Sequence, residues 1–239
     1  MSVLVVGAQP GSLGDAVVRE CRDDVVTAGL ATDEWEPDWP LDVTSETADD
    51  ALWEIMRNNG VKHVVCTVGI NHPTIAWHCE SALAEHLLIN VIGVMRVLNA
   101  WLSSPVLETE DGPSHFVAIS SNSARIARRN SLPYCTSKAA LSMAIRCVAR
   151  EYGGALRSIY CYEPGLIATR ATREVAERLS RVGNTGELRM PNELHRMPNQ
   201  HDIPLGVHPA VVAEAIVNNL NTEGSMLNGT CIPFDGGEQ

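Results

Sequence analysis

Short, nearly continuous apolar runs alternate with longer stretches of helical period along the whole chain. Val3–Val6 comes first, then a glycine turn and a helix-period stretch over Leu13–Arg22. Val25–Leu30 is a second run, followed by an acidic loop over Thr32–Pro40 that carries Trp35 and Trp39. Asp42-Val43 closes a short third strand. A helix is expected over Thr47–Asn58, with Ser45 as cap and Gly60 as stop. Val61–Val68 reads as a strand, Glu80–Ser103 as a long helix, and His115–Ser120 as a strand. A second long helix begins near Pro133 and contains Lys138–Tyr152. Leu156–Tyr162 is a strand ended by Pro164-Gly165, Val211–Asn219 is helical, and Gly229–Phe234 is a last strand. Strands covered on both faces read as unbroken apolar runs, and strands joined through helices pair in parallel. The expected fold class is α/β: one doubly wound parallel sheet over residues 1–239, with helices on both faces.

Composition narrows the function. A domain of 239 residues buries roughly 70–75% of its unfolded surface and needs no covalent staples. The seven cysteines are scattered, odd in number and free of any C-x-x-C pair, which suits reduced thiols in a cytosol. Acidic residues outnumber basic ones 29 to 18, so nucleic acid is not an expected partner. No uninterrupted apolar run matches the roughly 18–20 residues of a membrane span. Met1–Gly7 lacks the basic start of a signal peptide. The expected location is cytoplasmic, with no membrane partner. His72, His78, Cys79 and His86 match no standard zinc spacing, so no metal is expected.

The first turn is glycine-rich, with Gly7, Gly11 and Gly14 around Ser12 and Leu13. Glycines between a first strand and first helix let pyrophosphate approach the backbone, and the helix N-terminus then faces the phosphates. Dinucleotide folds read the adenosine ribose with an acid near the end of the second strand, where Thr32, Asp33 and Glu34 stand here. Such an acid repels a 2′-phosphate, and no basic residue lies nearby in sequence. NAD is therefore favoured over NADP.

Tyr134 and Lys138, four apart on a helix, share one face. A phenol titrates near 10, and a neighbouring ammonium favours its phenolate. Such a tyrosine can pass a proton to or from a substrate oxygen. Ser121 ends the fifth strand, at the carboxyl edge where ligands bind such sheets. Asn90 lies inside a long helix among Leu87, Leu88, Ile89, Val91 and Ile92, so it is expected to be partly buried and hydrogen-bonded. Arg125–Arg129, between Ser121 and Tyr134, reads as a solvated loop in preference to an anion contact. Only two of the 18 basic residues are lysine, Lys62 and Lys138.

Along nearly its full length the chain resembles the short-chain dehydrogenase/reductase family. The marks are the glycine turn, Asp42-Val43, Gly69, Asn90, Ser121, Tyr134-x-x-x-Lys138, Pro164-Gly165 with Thr169, Pro204-Leu205-Gly206, and Gly229 leading to Asp235-Gly236-Gly237. The resemblance implies a Rossmann-like NAD(P)-binding domain and a catalytic tetrad of Asn90, Ser121, Tyr134 and Lys138. In that family the tyrosine is general acid/base and the serine holds the substrate oxygen. The lysine binds the nicotinamide ribose and tunes the tyrosine, and the asparagine keeps a water in a proton relay. It further implies that Val68, Pro164, Gly165, Ile167 and Thr169 line the cofactor, and that residues 170–205 form a variable substrate lid. The implied activity is hydride transfer between a nicotinamide cofactor and an alcohol or carbonyl, in a homodimer or homotetramer. Two other readings stand beside it: a non-catalytic nucleotide-binding regulator of the same fold, and an epimerase or dehydratase using the same site.

Three departures bear on the adenosine side. Gly14 stands one residue later than the family spacing, so the phosphate loop is expected to bulge. Cys66-Thr67-Val68-Gly69 replaces Asn-Asn-Ala-Gly, and the link from the second strand to Asp42 is too short for the usual helix.

Overall fold

The computed structural model describes residues 2–22, 24–74, 79–108, 112–154, 156–175, 207–222 and 226–236. Seven strands form one parallel sheet: β1 (Ser2–Val6), β2 (Asp24–Gly29), β3 (Trp39–Pro40), β4 (Val61–Cys66), β5 (Ser114–Ile119), β6 (Arg157–Pro164) and β7 (Cys231–Phe234), in the spatial order β3-β2-β1-β4-β5-β6-β7. The order reverses between β1 and β4, so the crevice at their carboxyl ends is where a ligand binds in such sheets.

Side-chain alternation along β1 explains the two-sided core. Leu4 and Val6 face a cluster with Leu52, Ile55, Val94, Leu98, Trp101, Leu141 and Ile145. These come from the helices α2 (Ala48–Asn59), α4 (Val94–Leu102) and α5 (Leu132–Tyr152). Val3 and Val5 face the other side, with Leu13 and Val17 of α1 (Leu13–Glu20) and Val212 and Ile216 of α6 (Pro209–Leu220). α2 ends as expected at Gly60, whose left-handed backbone closes the helix.

Two expectations are adjusted. The third strand is Trp39–Pro40 and pairs with Ala28 and Gly29, so Asp42 and Val43 lie just past it. Asp42 instead makes a turn, its carboxylate accepting from Thr44 N at 2.8 Å and Thr44 Oγ1 at 2.7 Å. The long helix is not uniformly α-helical. α3 (Glu80–Leu87) passes through a π-helical turn, Leu88–Gly93, before α4. Such turns insert a residue and re-aim side chains, often at functional sites. Most of the segment 170–205, with Pro204-Leu205-Gly206 and Gly237, lies outside the described residues, as does His78.

By length and composition the segment Glu80–Leu102 could cross a membrane. Its face Val94, Val97, Leu98 and Trp101 is instead buried in the sheet core, and Trp101 Nε1 donates to Lys62 O at 3.0 Å.

His63 on β4 is fully buried and has no hydrogen-bond partner among the described residues. Burial, with the charges of His115 and Lys62 adding to it, pushes its imidazole down to about 3. The unfolded chain binds that proton near pH 6.5. Stability is therefore present above 6.5 and is lost as pH falls from 6.5 toward 3. Urea denaturation should show roughly 2 kcal/mol lost to this group between pH 7 and pH 5. His63→Leu should shrink that pH dependence; an unchanged slope would count against the assignment.

Candidate active site

The glycine turn is built around Thr67. Its hydroxyl lies 3.0 Å from both Val6 O and Gly7 O. A Cβ at Gly7 or at Gly14 would stand 2.8 Å from that oxygen, and one at Gly14 would also stand 2.6 Å from Gly7 O. Thr67 thus supplies locally the hydrogen bonding for which the family spacing uses asparagine. The extra residue of the loop is absorbed by a turn in which Ser12 N donates to Gln9 O at 3.0 Å and Gly11 takes φ +75°. Ser12 caps α1, accepting from Asp15 N at 3.1 Å. Asp15 also accepts from Gly11 N at 2.9 Å.

The proposed tetrad converges at the carboxyl edge of β5. Ser121 leaves the strand buried, and its Oγ accepts from Ser123 N at 3.1 Å. Its hydroxyl is near enough to Tyr134 to favour the phenolate. Lys138 is buried, donates to Ile119 O at 2.8 Å and stands 5.7 Å from the centre of the Tyr134 ring. Burial brings its ammonium down to about 8. Burial also raises the Tyr134 phenol, while Ser121 and the charge of Arg128 draw it down. The lowering expected from Lys138 does not set the direction: desolvation is the largest cause, and the phenol is raised.

Asn90 sits in the π-helical turn, fully buried behind the cleft. Its Oδ1 accepts from Ile70 N at 2.7 Å, and its Nδ2 donates to Ile70 O at 3.0 Å and Ser137 Oγ at 2.9 Å. Ser137 Oγ in turn donates to Tyr134 O at 2.8 Å. One side chain therefore joins the loop after β4 to the helix bearing tyrosine and lysine. Gly69 lies between them: a Cβ there would be 3.2 Å from Lys138 Nζ and 3.3 Å from Asn90 Oδ1.

One cavity of about 710 Å³ is lined by Gly7, Ser12, Leu13, Asp42, Val43, Val68, Gly69, Ser121, Tyr134, Lys138, Pro164, Gly165, Ile167 and Thr169. Thr32 and Asp33 line an adjoining depression of about 330 Å³ instead. Gly11 and Gly14 shape the turn from behind. The extended cleft, the backbone cradle at Gly7 and Gly69, and the first turn of α1 fit a dinucleotide.

Several residues escaped the sequence reading. Arg170 reaches the adenosine side, its backbone N donating to Gly11 O at 3.0 Å and its guanidinium pairing with Glu34 at 3.0 Å and Glu174 at 3.1 Å. A cation does stand there, from a segment 136 residues away from Glu34. Arg125 is not merely solvated. It pairs with buried Glu163 at 2.6 Å and with Asp235 at 2.8 Å. Ser142 donates to the other Glu163 oxygen at 2.8 Å. Cys161, Cys231 and Glu163 bring ligand atoms within 4.8 Å of one another, but both carboxylate oxygens are already engaged. His86 is buried, accepts from His72 N at 3.1 Å and donates through Nδ1 to Ala82 O at 2.7 Å, which anchors the loop after Gly69.

Asn90→Ala should take away the partners of both backbone polar groups of half-buried Ile70 and leave the buried Ser137 hydroxyl without its donor. A loss of about 2–4 kcal/mol in urea denaturation is expected; a loss under 1 kcal/mol would contradict the anchoring role.

Comparison with known proteins agrees with this geometry. Residues 18–239 match the family profile described as enoyl-(acyl carrier protein) reductase. Among curated proteins none matches significantly. A ligand-free aldohexose dehydrogenase from Thermoplasma acidophilum is 23% identical, with 99% of this chain and 92% of that chain covered and a TM-score of 0.79. L-sorbose reductase from Gluconobacter frateurii, solved with NADPH and L-sorbose, is 18% identical over 99% and 95%, TM-score 0.79. A short-chain dehydrogenase family protein from Francisella tularensis is 19% identical over 99% and 97%, TM-score 0.74. At such identities the structures carry the fold, and the sequence profile carries the family. With the profile covering all but the first strand, the glycine turn and the start of α1, this chain belongs to the short-chain dehydrogenase/reductase family of NAD(P)-dependent oxidoreductases acting on alcohol and carbonyl groups.

Proposed function

We propose that Ser121 and Tyr134 hold the oxygen of an alcohol or carbonyl substrate in this cleft, with Lys138 and Asn90 organising the proton path behind them. The observation that carries this reading is the shared cavity wall of Ser121, Tyr134 and Lys138, with Asn90 tied through Ser137 to the same helix. In the reduction direction Ser121 donates to the carbonyl oxygen and Tyr134 gives it a proton. General acid catalysis of this kind contributes typically 10²–10⁴-fold. Lys138 would hold the ribose of a bound cofactor, and its charge would favour the phenolate as it forms. A nicotinamide dinucleotide, when bound, would supply or accept the hydride. Gly7, Gly11, Ser12, Leu13 and Gly14 would hold its pyrophosphate. Asp42, Val43 and Val68 would border its adenosine half, and Pro164, Gly165, Ile167 and Thr169 its nicotinamide half.

NAD remains the favoured cofactor. Three carboxylates, Asp33, Glu34 and Glu174, line the adenosine-side depression against one arginine, Arg170, which two of them already hold. That balance repels a 2′-phosphate. Calorimetric titration should give at least about tenfold tighter binding of NAD; tighter NADP binding would reverse the assignment. Exposed Leu88 and Ile92 on the π-helical turn and Met143 on α5 favour a homo-oligomer formed through the long helices. The seven free thiols suit a reducing, cytoplasmic location.

Tyr134→Phe should lower kcat by about 10²–10⁴-fold with little change in cofactor affinity. Lys138→Arg should abolish turnover, because a planar guanidinium cannot replace a compact ammonium between Gly69 and Ile119 O. Lys62→Arg should leave turnover unchanged. Wild-type rates in Tyr134→Phe would defeat the assignment.

A further inference from the structure

The loop between Ser121 and Tyr134 is fastened at both ends. At its start, Arg125 is clamped by Glu163 and Asp235. At its end, Asn130 is held at φ +57°, the single left-handed non-glycine among the described residues. Its carbonyl accepts from Thr74 N at 2.8 Å. Asparagine enters that region more readily than other non-glycine residues, and the bond from Thr74 fixes the turn there. The consequence is that Arg128 and Arg129, between the two fastenings, form part of the wall of the catalytic cavity beside Tyr134.

This placement is unexpected on charge grounds. The chain is acidic overall, at −11, and arginines are ordinarily spread over solvated surface. Two consecutive arginines stand on the reacting side of the cleft. Among the described residues, the carboxylates that line the same cavity, Asp42 and Glu174, are engaged by Thr44 and Arg170. Arg128 is also close enough to Tyr134 for its charge to favour the phenolate.

We propose that the substrate carries an anionic group, a carboxylate or a phosphate, received by Arg128 and Arg129 while its carbonyl or hydroxyl meets Ser121 and Tyr134. Guanidinium is the side-chain group best matched to planar or tetrahedral oxyanions, through paired N–H donors. The inference rests on the oxidoreductase reading above and names its substrate class. Binding the anion on the loop that leads into the Tyr134 helix fixes the distance between charge and reacting carbon, so it acts through orientation as well as affinity.

The test uses the full chain and matched pairs: oxo acids against their methyl esters, and phosphorylated ketoses against the free ketoses. For the favoured pair, kcat/KM should be at least about 30-fold higher for the anionic member. The pair that shows this preference separates carboxylate from phosphate. In Arg128→Gln/Arg129→Gln the anionic-to-neutral ratio should collapse toward one, mainly through KM, and Arg128→Lys should restore part of it. Neutral members used as well as anionic ones, or a ratio unmoved in the double variant, would overturn the proposal. Calorimetric binding of the same compounds reads the anion site without turnover. If no carbonyl is turned over yet anionic members bind about 30-fold tighter and lose this in the double variant, the redox reading fails and the anion site stands. Equal binding of charged and neutral members overturns the anion site itself, leaving Arg128 and Arg129 as a solvated loop.

Discussion

A buried ammonium organises the catalytic edge of this protein. Lys138 is desolvated and held against Ile119 O at 2.8 Å, at the carboxyl end of the interior strand β5. A buried charge persists only where polar partners surround it. That requirement explains the neighbourhood. Gly69 must lack a side chain to leave Nζ its space, and Asn90 must be satisfied where it closes the wall behind Gly69. Ser120, one residue past β5, donates to Lys138 O at 3.1 Å and so fixes the backbone of the same residue. The strand end, the loop after β4 and the helix α5 are thus locked together by one residue's chemistry.

A second polar chain runs beneath the first. Ser120 and Ser142 hydroxyls lie 2.8 Å apart, and Ser142 continues to Glu163, Arg125 and Asp235. Glu163 is buried on β6 and would be costly without its partners. Arg125 belongs to the loop between Ser121 and Tyr134, and Asp235 follows β7. A Cβ on Gly165 would stand 3.2 Å from Asp235, so the turn after β6 depends on the same packing. This chain connects the turn after β6 to the arginine-bearing loop, and both line the same cavity.

Much of the fold was legible because buried parallel strands are short, apolar and regularly spaced. β1, β4, β5 and β6 each fell within two residues of their expected bounds. The four residues proposed as a tetrad could be named from the sequence for a different reason: the proposed chemistry asks for particular residue types, and chain order marks their positions. Three things were not legible. Periodicity does not distinguish an α-helix from one with a π-helical turn here, because nearly every position of Leu87–Met95 is apolar and one inserted residue leaves no visible break in the pattern. The third strand is only two residues long and takes its identity from pairing with β2. The sense of the Tyr134 shift depends on how deeply the phenol and ammonium are desolvated, which spacing does not report.

The sequence by itself determined that this is a doubly wound sheet carrying a tyrosine, a lysine, a serine and an asparagine in family order. These follow from local pattern and from residue identity. Only the tertiary structure decided what stands around them. Arg170 meets Glu34 across 136 positions of chain, and Arg125 meets Asp235 across 110. Charge pairing depends on distance in space, and at such separations the strand order, not the sequence interval, sets that distance.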